Sequence, residues 1–144
     1  MYKKTFLAYV DIAITEIISQ KNQTKLMKDY LKEINGDIVF YSTENHLTIE
    51  TMRLLESKIS ENIKINGIIF YSVLQFSYSG KFLFKIAKKI LDNNYELYFV
   101  REDIKIKNTK ALDKMKISLN IFPDTHYDLI KNLKSNFYRI INIK

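Results

Sequence analysis

Asn66-Gly67-Ile68-Ile69-Phe70-Tyr71 decides the fold. Asn-Gly is a turn signal, and the four residues after it are apolar or aromatic without interruption. A strand with one wet face alternates polar and apolar residues, whereas a continuous apolar run suits a strand covered on both faces of a parallel sheet. Asp37 to Tyr41 (DIVFY) reads the same way upstream, Thr5 to Val10 (TFLAYV) is short, apolar and β-prone, and Tyr95 to Val100 (YELYFV) follows downstream. The segments between these strands carry helical spacing. Met27, Tyr30, Leu31 and Ile34 form one apolar stripe, stopped by Asn35-Gly36. A second helix is predicted from about Thr48 to Asn62 on Met52, Leu55 and Ile59, and a third from about Gly80 to Leu91 on Leu83, Ile86, Ala87 and Ile90, ended by Asp92-Asn93-Asn94. A fourth runs from about Thr109 to Leu119, with Asn108 as its N-cap. The tail holds Pro123 and an apolar stretch, Phe137 to Ile143, suited to docking.

Strand and helix alternate four times. That order predicts right-handed βαβ crossovers. The expected architecture is one α/β domain over residues 1–144, with an open, mostly parallel four-stranded sheet and helices on both faces, resolvase- or flavodoxin-like in plan. A chain of 144 residues has room for one such domain.

Composition removes several chemistries. There is no cysteine, so thiolate metal sites, disulfides and cysteine nucleophiles are excluded. The three glycines stand singly at 36, 67 and 80, which excludes a glycine-rich phosphate loop and the dinucleotide fingerprint. No G-x-S-x-G elbow is present. His46 and His126 are far apart, so no metal site is expected, and no cofactor is indicated. No segment approaches the roughly 18 uninterrupted apolar residues of a membrane span. The N-terminus has no cleavable leader pattern, which points to a cytoplasmic protein. The net charge of +7 invites a nucleic-acid partner. The lysines, however, are spread along the chain with acidic residues between them, as at Lys25, Lys28, Asp29 and Glu33, and an AT-rich coding sequence inflates lysine everywhere. Composition therefore argues against nucleic acid as the partner. A homo-oligomer is compatible with the sequence.

Ligands of open parallel sheets bind beyond the carboxyl ends of the strands, and this turns the secondary-structure reading into a residue list. Tyr9 and Asp11 follow the first strand, and Ser42, Thr43, Glu44, Asn45 and His46 the second. Tyr71, Ser72 and Gln75 follow the third, and Arg101, Glu102 and Asp103 the fourth. Glu44 and Glu102 are the candidate acid and base, since two carboxylates facing one polar pocket can be driven to different pKa values. They are expected at one edge, after neighbouring strand ends. Tyr9, Ser42, Thr43, Tyr71, Ser72 and Gln75 are the candidate ligand-binding groups. Ser72 has no histidine or lysine placed by sequence to activate it as a nucleophile. Gln75 stands in an apolar stretch (VLQF), where its amide must find partners. Each residue also has a plainer reading. Ser42, Thr43 and Thr48 suit turns or helix caps, His46 suits a solvated loop, and Glu102 beside Arg101 suits a surface ion pair of little energetic weight.

Two resemblances follow from these segments. The element order resembles the catalytic domain of the serine recombinases, in topology alone. Where that family carries Tyr-x-Arg-x-Ser after the first strand, this chain has Tyr9-Val10-Asp11-Ile12-Ala13. Where it carries Asp-Arg-Leu-x-Arg after the third, this chain has Tyr71-Ser72-Val73-Leu74-Gln75. The second resemblance covers about residues 5 to 120. Gln23 and Asp29-Tyr30 within Gln20 to Tyr30, then Tyr41-Ser42-Thr43-Glu44, and above all Asn66 to Phe76, are similar to the sporadic carbohydrate cluster proteins of bacterial surface-polysaccharide gene clusters. The chain departs from that pattern at Ile12-Ala13, where the family has Ser-Arg, and at Ser77, where it has Pro. The resemblance implies a protein of surface-carbohydrate biosynthesis that binds or modifies an activated sugar, such as a sugar nucleotide, or a similar polar metabolite. The alternative is a non-catalytic, recombinase-like module that binds nucleic acid through a basic surface. Neither resemblance names a reaction or a cofactor.

Overall fold

The computed structural model describes residues 2–10, 18–45, 47–76 and 82–120. Asp11, His46, Gly80, His126 and the tail from 121 onward lie outside them. The elements run β1 (Lys4–Tyr9), α1 (Gln20–Lys32), β2 (Gly36–Ser42), α2 (Arg53–Ser60), β3 (Gly67–Phe70), a 3-10 turn (Val73–Phe76), α3 (Phe84–Asp92), β4 (Glu96–Phe99), β5 (Ile104–Ile106) and α4 (Thr109–Asn120). The sheet order is β2-β1-β3-β4-β5. Strands β1 to β4 are mutually parallel, and β5 is antiparallel to β4. This is the flavodoxin-like order with its last strand reversed, and its topological switch point falls between β1 and β3.

Alternation along each inner strand divides the core. Leu7, Tyr9, Ile68, Phe70, Leu97 and Phe99 pack with Leu55 and Ile59 of α2, Ile86, Ala87 and Ile90 of α3, and Leu112 of α4. Phe6, Ala8, Val10, Ile69 and Tyr98 pack with Met27 and Leu31 of α1. Tyr30 ties α1 across the sheet, its hydroxyl donating to Asp103 Oδ1 at 2.6 Å, with Lys105 Nζ 5.4 Å from the ring centre. Burial and the neighbouring Asp103 push the Tyr30 hydroxyl well above its ordinary pKa. With Met27 and Leu31 turned inward, the lysines of α1 are left at its surface.

The structure corrects the expectation in three places. The described residues form five strands; the fifth, Ile104-Lys105-Ile106, is too short to show a period and follows a turn in which Asp103 takes φ 52°. β2 is an edge strand, and Val39, Phe40 and Tyr41 are about half exposed instead of covered on both faces. The pairing steps from Phe6↔Ile38 to Leu7↔Phe40, so Val39 is an extra residue that breaks the alternation. The second helix is shorter than its apolar pattern suggests. Residues 47–51 form a separate turn, and Met52 at φ 53° breaks the path before α2 begins at Arg53.

Register is set at the amino ends of the strands. Asn66 N donates to Thr5 O at 2.8 Å, Thr5 N donates back to Asn66 Oδ1 at 2.9 Å, and Glu96 N donates to Asn66 O at 2.9 Å. The next residue, Gly67, lies so close to β4 that an added Cβ would stand 2.6 Å from the Glu96 carbonyl oxygen. At Gly36 the added atom would meet only side-chain atoms of Phe6 and Leu31, at 3.2–3.3 Å. Gly67→Ala is therefore expected to lower stability by about 1–3 kcal/mol, and Gly36→Ala by less. Denaturant midpoints at unchanged slope check this. Equal losses at the two positions would contradict it.

Candidate functional site

Four parallel strand ends meet one edge of the sheet, and the side chains there fall into three groups. The first surrounds the β3 exit. Ser72 Oγ donates to Glu102 Oε2 at 2.6 Å, and Val73 N donates to Oε1 at 3.1 Å. Arg101 Nη1 stands 3.4 Å from the same carboxylate. Ser72 Oγ accepts from Leu74 N at 3.2 Å, and Gln75 Oε1 accepts from Ser72 N at 3.0 Å. Both carboxylate oxygens thus hold the turn that leads from β3 into the 3-10 helix. Ser72 and Gln75 are almost fully buried, and Tyr71 is nearly so. Burial raises the Tyr71 hydroxyl above its ordinary pKa, against the opposing pull of Arg101. The amide nitrogen of Gln75 has no hydrogen-bond partner among the described residues.

The second group surrounds Glu44. Its Oε1 accepts from Leu54 N at 2.8 Å and its Oε2 from Leu55 N at 3.0 Å. These are orphan donors of the first turn of α2, a helix whose N-cap position, Met52, makes no side-chain capping bond. A carboxylate ten residues upstream does the capping instead. The hydroxyls of Thr48 and Tyr9 also favour its charged form. Burial nonetheless pushes the Glu44 carboxyl above the usual value, outweighing those hydrogen bonds. Tyr9 is fully buried, its ring 5.3 Å from that of Phe70.

Glu44 and Glu102 therefore share an end of the sheet but not a pocket wall. They follow β2 and β4, which are separated by β1 and β3 and are not neighbours as expected. Three strand spacings amount to about 14 Å. Each carboxylate is engaged at both oxygens, Glu44 by backbone donors of α2 and Glu102 by Ser72 and Val73 at the β3 exit.

The third group lines a groove of about 770 Å³ between α1 and the end of β2. Lys21, Lys25, Lys28 and Lys32 line it from α1, together with Gln20, Thr24 and Asp29. Tyr41, Ser42 and Thr43 line it from β2, and Val10 from the end of β1. The lysine spacings of four, three and four residues place all four ammonium groups along one flank of the helix. Asp29 is the one acidic lining residue among those described, and Lys32 Nζ stands 3.8 Å from it. Ser42 and Thr43 are the two expected ligand-binding residues that line this groove; Tyr9, Tyr71, Ser72 and Gln75 do not. The lysines were missed as a group because they look scattered when read linearly. Folding the 20–32 segment onto a helical wheel gathers them. The volume suits a small-molecule site, and its chemistry suits an anion. Among the described residues, no three His, Asp or Glu side chains assemble as a metal site. No helix among them is long and apolar enough to cross a membrane. The chain matches no protein-family model and no curated protein sequence.

The two capping carboxylates have a measurable signature. Glu44→Gln and Glu102→Gln each set an amide NH2 against a backbone N–H or a hydroxyl donor, so each should lower stability by about 1–3 kcal/mol. Thr43→Val, at an exposed position whose hydroxyl makes only a 3.4 Å contact to Glu44 O, should stay within about 0.5 kcal/mol. Urea denaturation checks all three. Unchanged midpoints for both glutamine variants would show that the carboxylates are not needed by their loops.

Proposed function

We propose that this protein binds a small phosphorylated metabolite, an activated sugar or a related polar compound, in the groove between α1 and β2. The observation that carries the reading is the convergence of Lys21, Lys25, Lys28 and Lys32 on one groove with the strand-end residues Ser42 and Thr43. An activated sugar is anionic at its phosphate and rich in hydroxyls at its ring. Ammonium groups serve the phosphate as mobile point charges. Ser42, Thr43, Thr24 and Gln20 supply the donors and acceptors a sugar requires. One end of the groove reaches the carboxyl ends of β1 and β2 through Val10, Ser42 and Thr43, the edge at which open α/β sheets take ligands. The resemblance to the carbohydrate-cluster proteins supports the same class of ligand. In this reading Glu44 and Glu102 are positioning groups. Glu44 fixes the loop that presents Ser42 and Thr43, and Glu102 fixes the β3 exit.

The runner-up is a nucleic-acid backbone, favoured by the net charge of +7 and by the same four lysines. Salt dependence separates the two. Four lysines on a nucleic-acid backbone give a slope of log K on log salt of about −3 to −4. Thermal unfolding of the intact chain with glucose 1-phosphate and UDP-glucose is the direct test. Ligand at 100 times its dissociation constant stabilises by about 2.7 kcal/mol, a rise of several degrees. The rise is expected in the wild type and is expected to vanish in Lys25→Glu/Lys28→Glu, whose melting temperature without ligand stays close to wild type. No rise with either compound, together with steeply salt-dependent DNA retention, would transfer the function to nucleic acid.

A further inference from the structure

The groove is chemically graded along its length. β1 and β2 are parallel, so α1 between them runs back against the strands. Gln20 and Lys21 thereby lie at the carboxyl end of β2, beside Ser42 and Thr43, and Lys32 lies toward its amino end. Lys21 to Lys32 spans about 16 Å of helix axis. Among the described residues, the upper end has lysine, amide and hydroxyl groups and no carboxylate. Asp29, the acidic lining residue among those described, sits two turns down and is neutralised in part by Lys32. A ligand whose negative charge is all at one end enters this groove in one orientation.

Tyr41 supplies what a phosphate and a sugar ring do not use. It is 51% exposed and lines the groove next to the hydroxyl residues. A half-exposed aromatic face on a groove wall stacks on a flat π-system, and its value lies in covering the ring. The methylene stems of Lys25 and Lys28 extend the apolar wall beside it. Phosphate contacts at one end and an aromatic platform below them match a nucleotide.

We infer that the groove takes a nucleoside diphosphate portion of its ligand, the phosphates held beside Lys21, Ser42 and Thr43 and the base stacked on Tyr41. This rests on the reading of the groove as a site for a phosphorylated ligand and narrows it to nucleotide-activated compounds. Asp29 would then accept from an exocyclic amine, an imide N–H or a ribose hydroxyl below the phosphates.

Calorimetric titration of the intact protein with UDP, inorganic pyrophosphate and a short oligodeoxythymidine tests the inference. UDP is expected to bind at least about tenfold more tightly than pyrophosphate, the usual size of a base–aromatic contact. Tyr41→Ala should abolish that difference and leave pyrophosphate binding unchanged, and Tyr41→Phe should retain it. Lys21→Ala/Lys25→Ala should weaken UDP and pyrophosphate together. Equal binding of UDP and pyrophosphate by the wild type would overturn the base contact and keep the groove as a phosphate site. Absence of binding by either would overturn both readings. Tighter binding of the oligonucleotide than of UDP would overturn the nucleotide in favour of single-stranded nucleic acid.

Discussion

Asn66 joins three strands through three hydrogen bonds, and the register of the sheet depends on it. Its backbone and side chain close on both polar groups of Thr5, and its carbonyl receives Glu96 N. β3 and β4 therefore begin level, opposite Phe6 of β1. Gly67 follows immediately, where the absence of a side chain lets β3 and β4 approach closely. With the register fixed there, Tyr9, Phe70 and Phe99 end the three strands in one row. The chemistry at the carboxyl edge is thus placed by a constraint at the opposite edge, a full strand length away.

The carboxyl edge then divides its polar residues between two tasks. Glu102 spends its hydrogen-bonding capacity on the Ser72 hydroxyl and Val73 N at the β3 exit, and Glu44 on backbone donors at the start of α2. Such internal use is the usual fate of a buried polar group. It leaves the open surface to groups that remain wet: Ser42, Thr43, Tyr41 and the lysines of α1. The bulge at Val39 matters here, because it ends the strict alternation of β2 and leaves Phe40 and Tyr41 both about half exposed.

Much of this fold was legible in the sequence, and for identifiable reasons. Four strands and four helices left period-two or period-3.6 signals, or unbroken apolar runs, and Asn35-Gly36 and Asn66-Gly67 punctuated them. β5 was not legible, since three residues carry no period. The break at Met52 was not legible either, because a buried methionine in the left-handed region looks like any other helical apolar residue. In the site, Ser42 and Thr43 were reachable from the rule that ligands sit beyond strand ends. That rule also drew in Glu44, Ser72 and Gln75, because strand-end position alone does not say whether a side chain turns outward or back to cap its own loop. The lysine flank was written in the spacing 21, 25, 28 and 32, but a charged face usually marks nothing beyond solvent. It acquires significance only when the edge strand is seen to leave a groove beside it.

The central claim is that the α1–β2 groove is where a ligand binds. It is tested most directly by backbone amide chemical shifts of the labelled full-length chain during titration with UDP-glucose. The account predicts saturable shifts confined to Val10, the first turns of α1 and Tyr41 to Thr43, with the Ser72–Glu102 turn unmoved. Shifts centred on Ser72, Val73 and Glu102, with α1 silent, would contradict it.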